Sequence, residues 1–396
     1  MTKRSPLAQL GALLIVVVLA LALVAGAQAQ ISSTHSTLRA LKSAHHHRAS
    51  KHHGGRHKRR HKKHSHPAKK SGVKRTPKPK SGVAGTSTTT ASSPSGNPTG
   101  GGAGNPTGGE RFYVYPGDSA VNEENALLAQ GDTSDAAQIE TIASQPEGKW
   151  LTSDSSSSVV PGIMSAAASS DTVPVFVLYN IPGRDCGGYS SGGASGVSDY
   201  EGFINSVVTG LGQGKAVVIV EPDALTYLAE MAAGSANCTN MGSDASLIGY
   251  AAQQLDTDAN AAVYVDAGNP NWATATAEAN ELSQVLGSTR AGFSVNVSNF
   301  ASTASDITYG TAISQAAGGR HFVVDTSRNG GTVASGQWCN PAGAGIGVDP
   351  TTATGNPLVD AFLWIKDVGE SDGTCNGGPS AGQFWLSYAL SLVANG

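Results

Sequence analysis

The chain has 396 residues, a formal net charge of −3 and 14% charged residues, a balance that conceals two parts of opposite sign. The first 109 residues contain no Asp or Glu and hold 18 of the 26 Lys and Arg, whereas all 29 acids lie in residues 110–396. Apart from an apolar run near its start, so basic a stretch is poor in large apolar residues and cannot bury a core, which excludes a compact domain there and leaves residues 110–396 to fold.

The N-terminus places Lys3-Arg4 before an apolar run over residues 10–27, then Ala25-Gly26-Ala27-Gln28-Ala29-Gln30. This is a signal-peptide pattern, assigned to residues 1–29, and it predicts a secreted chain. An uncleaved anchor is the rival, because about 18 apolar residues approach a spanning length; the two Ala-x-Ala sites favour cleavage. Residues 30–80 follow, dense in His, Lys and Arg, as in Arg56-His57-Lys58-Arg59-Arg60-His61. The reading is a solvated tail that adheres to anionic polymers at a cell surface, without specific nucleic-acid recognition. Metal binding is the alternative, since 10 of the 11 histidines lie in the first 109 residues, but they show no regular ligand spacing. Residues 81–109 are almost entirely Gly, Ser, Thr, Pro, Ala and Asn, the composition of a linker.

From residue 110, short runs of Val, Ile and aromatics alternate with Ala-rich helical stretches. Strands are predicted over 111–115, 173–179, 216–220, 262–265, 293–297, 321–324 and 361–365, and helices over 200–211, 224–233, 244–257, 274–286 and 383–393. Continuous apolar strands alternating with helices predict an α/β fold of about seven mostly parallel strands joined by crossover helices. Its active site would lie at the C-terminal strand ends. No internal repeat argues for a solenoid or propeller. The four cysteines, Cys186, Cys238, Cys339 and Cys375, allow three pairings; the expected one is sequential, Cys186–Cys238 and Cys339–Cys375, each pinning a loop after a predicted strand.

Nearly every predicted strand hands over to a polar or aromatic side chain: Tyr179 to Asp185, Glu221/Asp223, Asp266, Asn299, Asp325, and Lys366 to Asp372. His321, the sole histidine of this part, stands at a strand start, so a Ser-His-Asp or Cys-His mechanism has poor material. Carboxylates and aromatics remain, and they suit glycosidic cleavage: one acid protonates the leaving oxygen, another assists water, and aromatic faces stack on sugar rings. No cofactor or metal site is expected.

Two stretches make this specific. Val177-Leu-Tyr179-Asn-Ile-Pro182-Gly-Arg184-Asp185-Cys186-Gly-Gly-Tyr-Ser-Ser191-Gly-Gly193 and Val218-Ile-Val-Glu221-Pro222-Asp223-Ala-Leu225 resemble the two signatures of glycoside hydrolase family 6, the inverting cellulases. Tyr264-Val-Asp266-Ala-Gly268, Trp272, Val297-Ser-Asn299, Gln337-Trp338-Cys339-Asn340, Trp364-Ile-Lys366 and Gly369-Glu370-Ser-Asp372-Gly373 follow in family order. The resemblance covers residues 110–396. It implies a distorted, incomplete (β/α) barrel and a monomeric enzyme acting on β-1,4-glucan, with Asp223 as general acid, Asp185 and Ser191 supporting it and routing a proton, and Asp372 as candidate base. Tyr179 would crowd the distorted ring. Trp150, Trp272 and Trp338 would be sugar platforms on both sides of the cleavage point, and Lys366, Glu370, Asn299 and Asp266 substrate contacts. Asp266 and Asp325 are read as supports or contacts rather than proton donors, Arg184 as the partner of a carboxylate, and Trp364 and Trp385 as core. Pro222 is expected to hold Glu221 extended.

The chain departs from the family where Asn269 stands in place of a frequent histidine, which removes one sugar hydrogen bond. The stretches after Cys186 and between Cys339 and Cys375 are short, which favours an open cleft and internal cutting. The alternatives are a cellobiohydrolase releasing cellobiose from chain ends and a non-catalytic glucan-binding surface protein.

Overall fold

A computed structural model describes residues 105–235, 238 and 244–396; the segments read as signal peptide and basic tail, and most of the linker, lie outside it. The fold begins earlier than composition indicates. Asn105–Gly109 dock on the far end of the chain through Asn105 Nδ2 to Asp360 O at 2.7 Å, Thr107 Oγ1 to Asp360 O at 3.3 Å and Gly109 N to Thr352 Oγ1 at 3.2 Å. Side chains that look like linker by composition here satisfy backbone groups.

Seven parallel strands form one sheet whose spatial order equals chain order. They are β1 (Lys149–Leu151), β2 (Val175–Leu178), β3 (Ala216–Val220), β4 (Ala261–Asp266), β5 (Gly292–Val295), β6 (Phe322–Asp325) and β7 (Val359–Leu363). The sheet curls until its edges approach: Gly148 N donates to Trp364 O at 2.9 Å, and a single parallel bridge, Glu147↔Trp364, joins the seam. This is the incomplete barrel expected. The predicted strand over 111–115 is not one; it makes only the bridge Phe112↔Val173, and β1, which the sequence reading missed, takes the edge.

The strand residues alternate between two cores, as a period of two dictates. Val175, Val177, Val217, Ile219, Tyr264, Val323, Ala361 and Leu363 fill the barrel interior. Phe176, Leu178, Val218, Val220, Val265, Phe293, Phe322 and Val324 face the outer helices. Those helices are α3 (Asp154–Ser157), α4 (Val160–Ser169), α5 (Val197–Leu211), α6 (Ala224–Ala232), α7 (Asp244–Leu255), α8 (Ala275–Leu286) and α9 (Thr303–Ala316). A third cluster joins α1 (Ser119–Gln130), α2 (Thr133–Ala143) and α10 (Leu386–Asn395) around Trp364, which is 1% exposed. Trp385 precedes α10 and packs at its edge. Among the described residues no helix is long and apolar enough to cross a membrane. Both sequential disulfides are present, Cys186–Cys238 and Cys339–Cys375. His321, on the face away from the strand ends, pairs with Asp360 at 2.8 Å.

Candidate active site

Trp150, Tyr179, Asp185, Ser191, Asp223, Trp272, Asn299, Trp338, Lys366, Glu370 and Asp372 all line one cleft of about 1270 Å³ at the C-terminal strand ends. Of the site residues read from sequence, Asp325 is absent from its walls, and so is Asp266. It is 1% exposed and accepts Asp223 N at 2.8 Å and Ser294 Oγ at 3.3 Å. A buried carboxyl so engaged cannot reach a sugar, so its place is that of a support.

Asp223 caps the start of α6, half-buried at the cleft floor, with a left-handed φ of 72°. Burial, then the negative charges of Asp266, Asp185 and Asp372, push its carboxyl well above the usual range. Removal from water and like charges both disfavour ionisation. Glu221, two residues earlier, is not extended as Pro222 led one to expect; its φ is 48°. Its buried carboxyl accepts Asn180 N at 3.1 and 3.0 Å and Ile181 N at 3.0 Å, and burial pushes it up to about 8. Those bonds tie the end of β3 to the loop after β2 and hold two left-handed non-glycine residues, each costing about 1–3 kcal/mol, where the acid sits.

Asp185 lies in the loop after β2, its Oδ2 accepting Ser190 N at 2.6 Å, and burial raises its pKa. Arg184 makes no ion pair with it. The guanidinium instead donates to the carbonyls of Ser190, Thr152 and Tyr179 at 2.8, 2.9 and 2.6 Å and lies 5.0 Å from the Tyr179 ring centre, because the loop turns its carbonyls inward. Gly193, at φ 94°, packs so closely on the Ile181 carbonyl that any side chain would collide with it.

Across the cleft, Asp372 is held by Arg328, which the sequence reading passed over. Arg328 is fully buried, and its Nη1 donates to Asp372 Oδ1 and Oδ2 at 2.8 and 3.0 Å, while Nη2 reaches Ser298 O. Asn340 completes the grip. Its N donates to Asp372 Oδ2 at 2.9 Å, and its Oδ1 accepts Asp372 N at 2.8 Å. Asn340 follows Cys339, so the Cys339–Cys375 disulfide closes around the same residue.

Asp325, fully buried, accepts Ser298 N, Ser327 N, Ile365 N and Lys366 N at 2.9, 2.9, 3.2 and 3.2 Å. One carboxyl thereby orders the ends of β5, β6 and β7. Lys366 Nζ lies 3.4 Å from Glu370 Oε2, and Glu370 Oε1 accepts Ser119 Oγ at 2.6 Å. Trp150 is fixed by Nε1 donating to Ile365 O at 2.9 Å. Trp338, 58% exposed, meets Tyr189 with ring centres 6.3 Å apart, and Tyr189 lies against Gly373 beside Asp372. Asn269 is buried and accepts Asn271 N at 3.0 Å. Tyr227, also missed, lines the cleft one helical turn after Asp223.

A sequence model described as Glycosyl hydrolases family 6 matches residues 107–396. The chain belongs to this family. Endoglucanase A of Cellulomonas fimi is 40% identical over 288 residues, 72% of this chain and 61% of that protein. Endoglucanase 1 of Streptomyces halstedii is 38% identical over 293 residues, 71% and 88% of the two chains. A probable 1,4-β-D-glucan cellobiohydrolase C of Neosartorya fischeri is 32% identical over 287 residues, 58% of this chain and 63% of that one. The chain thus spans about three fifths of the Cellulomonas relative. Among solved structures, the endoglucanase Cel6 of Mycobacterium tuberculosis, in complex with a methyl-cellobiosyl thio-cellobioside, superimposes with a TM-score of 0.67 at 42% identity. It covers 74% of this chain and 99% of that one.

Proposed function

We propose that this family 6 chain is a secreted, inverting hydrolase of internal β-1,4-glucosidic bonds in cellulose or a related β-glucan. The observation that carries the reading is the opposition, across one cleft with tryptophan walls, of Asp223, whose carboxyl is pushed well above its usual range, and Asp372, clamped by Arg328. In the reaction, Asp223 gives its proton to the glycosidic oxygen as the bond breaks. Asp372 accepts a proton from water entering on the opposite ring face, and Asp185 and Ser191 line its route. An inverting pair needs about 6.5–9.5 Å between carboxyls to admit that water. Tyr179 crowds the ring under attack, and Trp150, Trp272 and Trp338 bind rings along the chain. Compact loops favour internal cutting: Asp185–Gly187 form one turn, and α5 starts at Val197.

Reducing ends and viscosity of a soluble cellulose derivative test this. Asp223→Ala should lose about 10²- to 10⁴-fold activity, and wild type should cut viscosity steeply for each reducing end released. Activity in the variant within about tenfold of wild type would refute the acid assignment; binding without hydrolysis by wild type would make the protein a glucan-binding module. One observation favours chain-end release. Tyr189 and Trp338 approach one another, ring centres 6.3 Å apart, on the wall of the cleft that also holds Asp185 and Asp372, and slow viscosity loss with cellobiose as product would support it.

A further inference from the structure

Two of the three tryptophans of the cleft each have a tyrosine set edge-on to them. Trp150 and Tyr179 have ring centres 5.3 Å apart at 87°, and Trp272 and Tyr227 have theirs 5.0 Å apart at 85°. The pairs fall on opposite sides of Asp223. β3, which delivers Asp223, lies between β2, which ends at Tyr179, and β4, whose following loop carries Trp272. Tyr227 stands four residues beyond Asp223 on α6, with its backbone N donating to Asp223 O at 3.0 Å, and both residues line the cleft. The ring is half-buried and lines the cleft. Burial and the charges of Asp223 and Asp185 hold its hydroxyl protonated.

A ring packed only for stability would lie inside a core cluster. Tyr227 touches the edge of the outer core but presents itself to the cleft, where it fixes the plane of Trp272. Sugar rings bind aromatic side chains through flat faces, so a platform's orientation determines how well it binds. Tyr179 belongs with the ring under attack, so the pair on the far side of the acid meets the sugar that departs.

We infer that Tyr227 is a substrate-positioning residue on the leaving-group side, forming with Trp272 the subsite that takes the departing glucose residues. The inference rests on the hydrolase reading above and names a residue of its binding cleft that the family motifs do not assign.

The test compares wild type, Tyr227→Ala and Tyr227→Phe on cellotetraose, which fills the leaving-group subsites, and on β-cellobiosyl fluoride, whose fluoride leaves them empty. Tyr227→Ala should lower kcat/KM for cellotetraose by about tenfold, the worth of an aromatic contact and the stacking it orients. Turnover of the fluoride should stay within about twofold of wild type, because only leaving-group contacts have been removed. Tyr227→Phe, which keeps the ring edge, should retain cellotetraose activity within about threefold. Equal losses on both substrates, as general disruption of the site gives, would overturn the inference, as would unchanged cellotetraose turnover. Wild type that hydrolyses neither substrate would sink the hydrolase reading and this inference with it; wild-type activity with equal losses would sink this inference alone.

Discussion

Replacing Arg328 by methionine removes a guanidinium from a fully buried position while keeping much of the stem's volume. The lost contacts are two hydrogen bonds to Asp372, at 2.8 and 3.0 Å, one to Ser298 O, and a face-on contact 4.4 Å from the Phe300 ring centre. The Asp372 side chain is 10% exposed, so its charge would be left among protein groups with only the Asn340 N–H as a strong donor. Removing one partner of a buried ion pair costs about 3–5 kcal/mol, much of it from the charge left behind. At about 2 °C per kcal/mol for a domain of this size, Tm should fall by about 6–10 °C. Adding Asp372→Asn removes the stranded charge and should recover about half of that loss or more. Calorimetry on the full chain, both single variants and the double variant gives the coupling, expected to exceed about 1 kcal/mol. A single variant within about 1 °C of wild type, or strictly additive effects, would refute the assignment of Arg328 as the clamp of Asp372.

Two further outcomes concern other parts of the molecule. Asp306 is fully buried, its Oδ1 lacks a hydrogen-bond partner, and burial pushes its pKa up to about 9. The unfolded chain releases this proton near pH 4, so between about 4 and 9 the fold binds more protons than the unfolded state, and stability falls as pH rises. Asp306→Asn should therefore raise Tm at pH near 9 and leave it unchanged near 4; parallel Tm-against-pH curves would show that the carboxyl titrates normally. For the N-terminal 109 residues, which carry 18 cations and no acid, we expect adhesion of the full chain to anionic polymer beads that fades as ionic strength passes about 0.15 M. Equal adhesion by a fragment starting at Asn105 would remove the tail from the explanation.

The strands were legible where burial on both faces leaves an uninterrupted apolar run, as in Ala216–Val220, and illegible where the barrel seam needs only three mixed residues, Lys149–Leu151. Residues 111–115 have strand composition, but Tyr113 and Tyr115 remain half-buried and no second strand pairs there. Helices α1 and α2 escaped notice because their apolar residues form only a weak stripe, with only Ala120 and Leu127 buried on α1. In the site, residues carried by motifs were readable, and those working through one partner were not. Arg328 has no motif, yet it is one of eight cations in residues 110–396 and stands three residues after the strand-end acid Asp325, a signal that charge scarcity could have supplied. Asn340 stood in a quoted stretch but received no role, because its task, holding Asp372 through both backbone and side chain, depends on a contact 32 residues away. Asp266 reads from sequence as a support or a sugar contact, and strand-end position does not separate the two: it reveals that a carboxyl is near the chemistry, while burial decides which way it faces.

A sheet in which every strand pairs with its predecessor gives each connecting segment two anchors that neighbouring connections do not share. Lengthening one such segment leaves all the strand registers intact and costs only loop-closure entropy, about 0.6 kcal/mol for each doubling. Relatives bearing endoglucanase and cellobiohydrolase names can therefore differ in the reach of their rim while inheriting one unaltered frame. The 33 residues between Asp325 and Val359, the one crossing without a helix, are where such variation meets the least structural resistance.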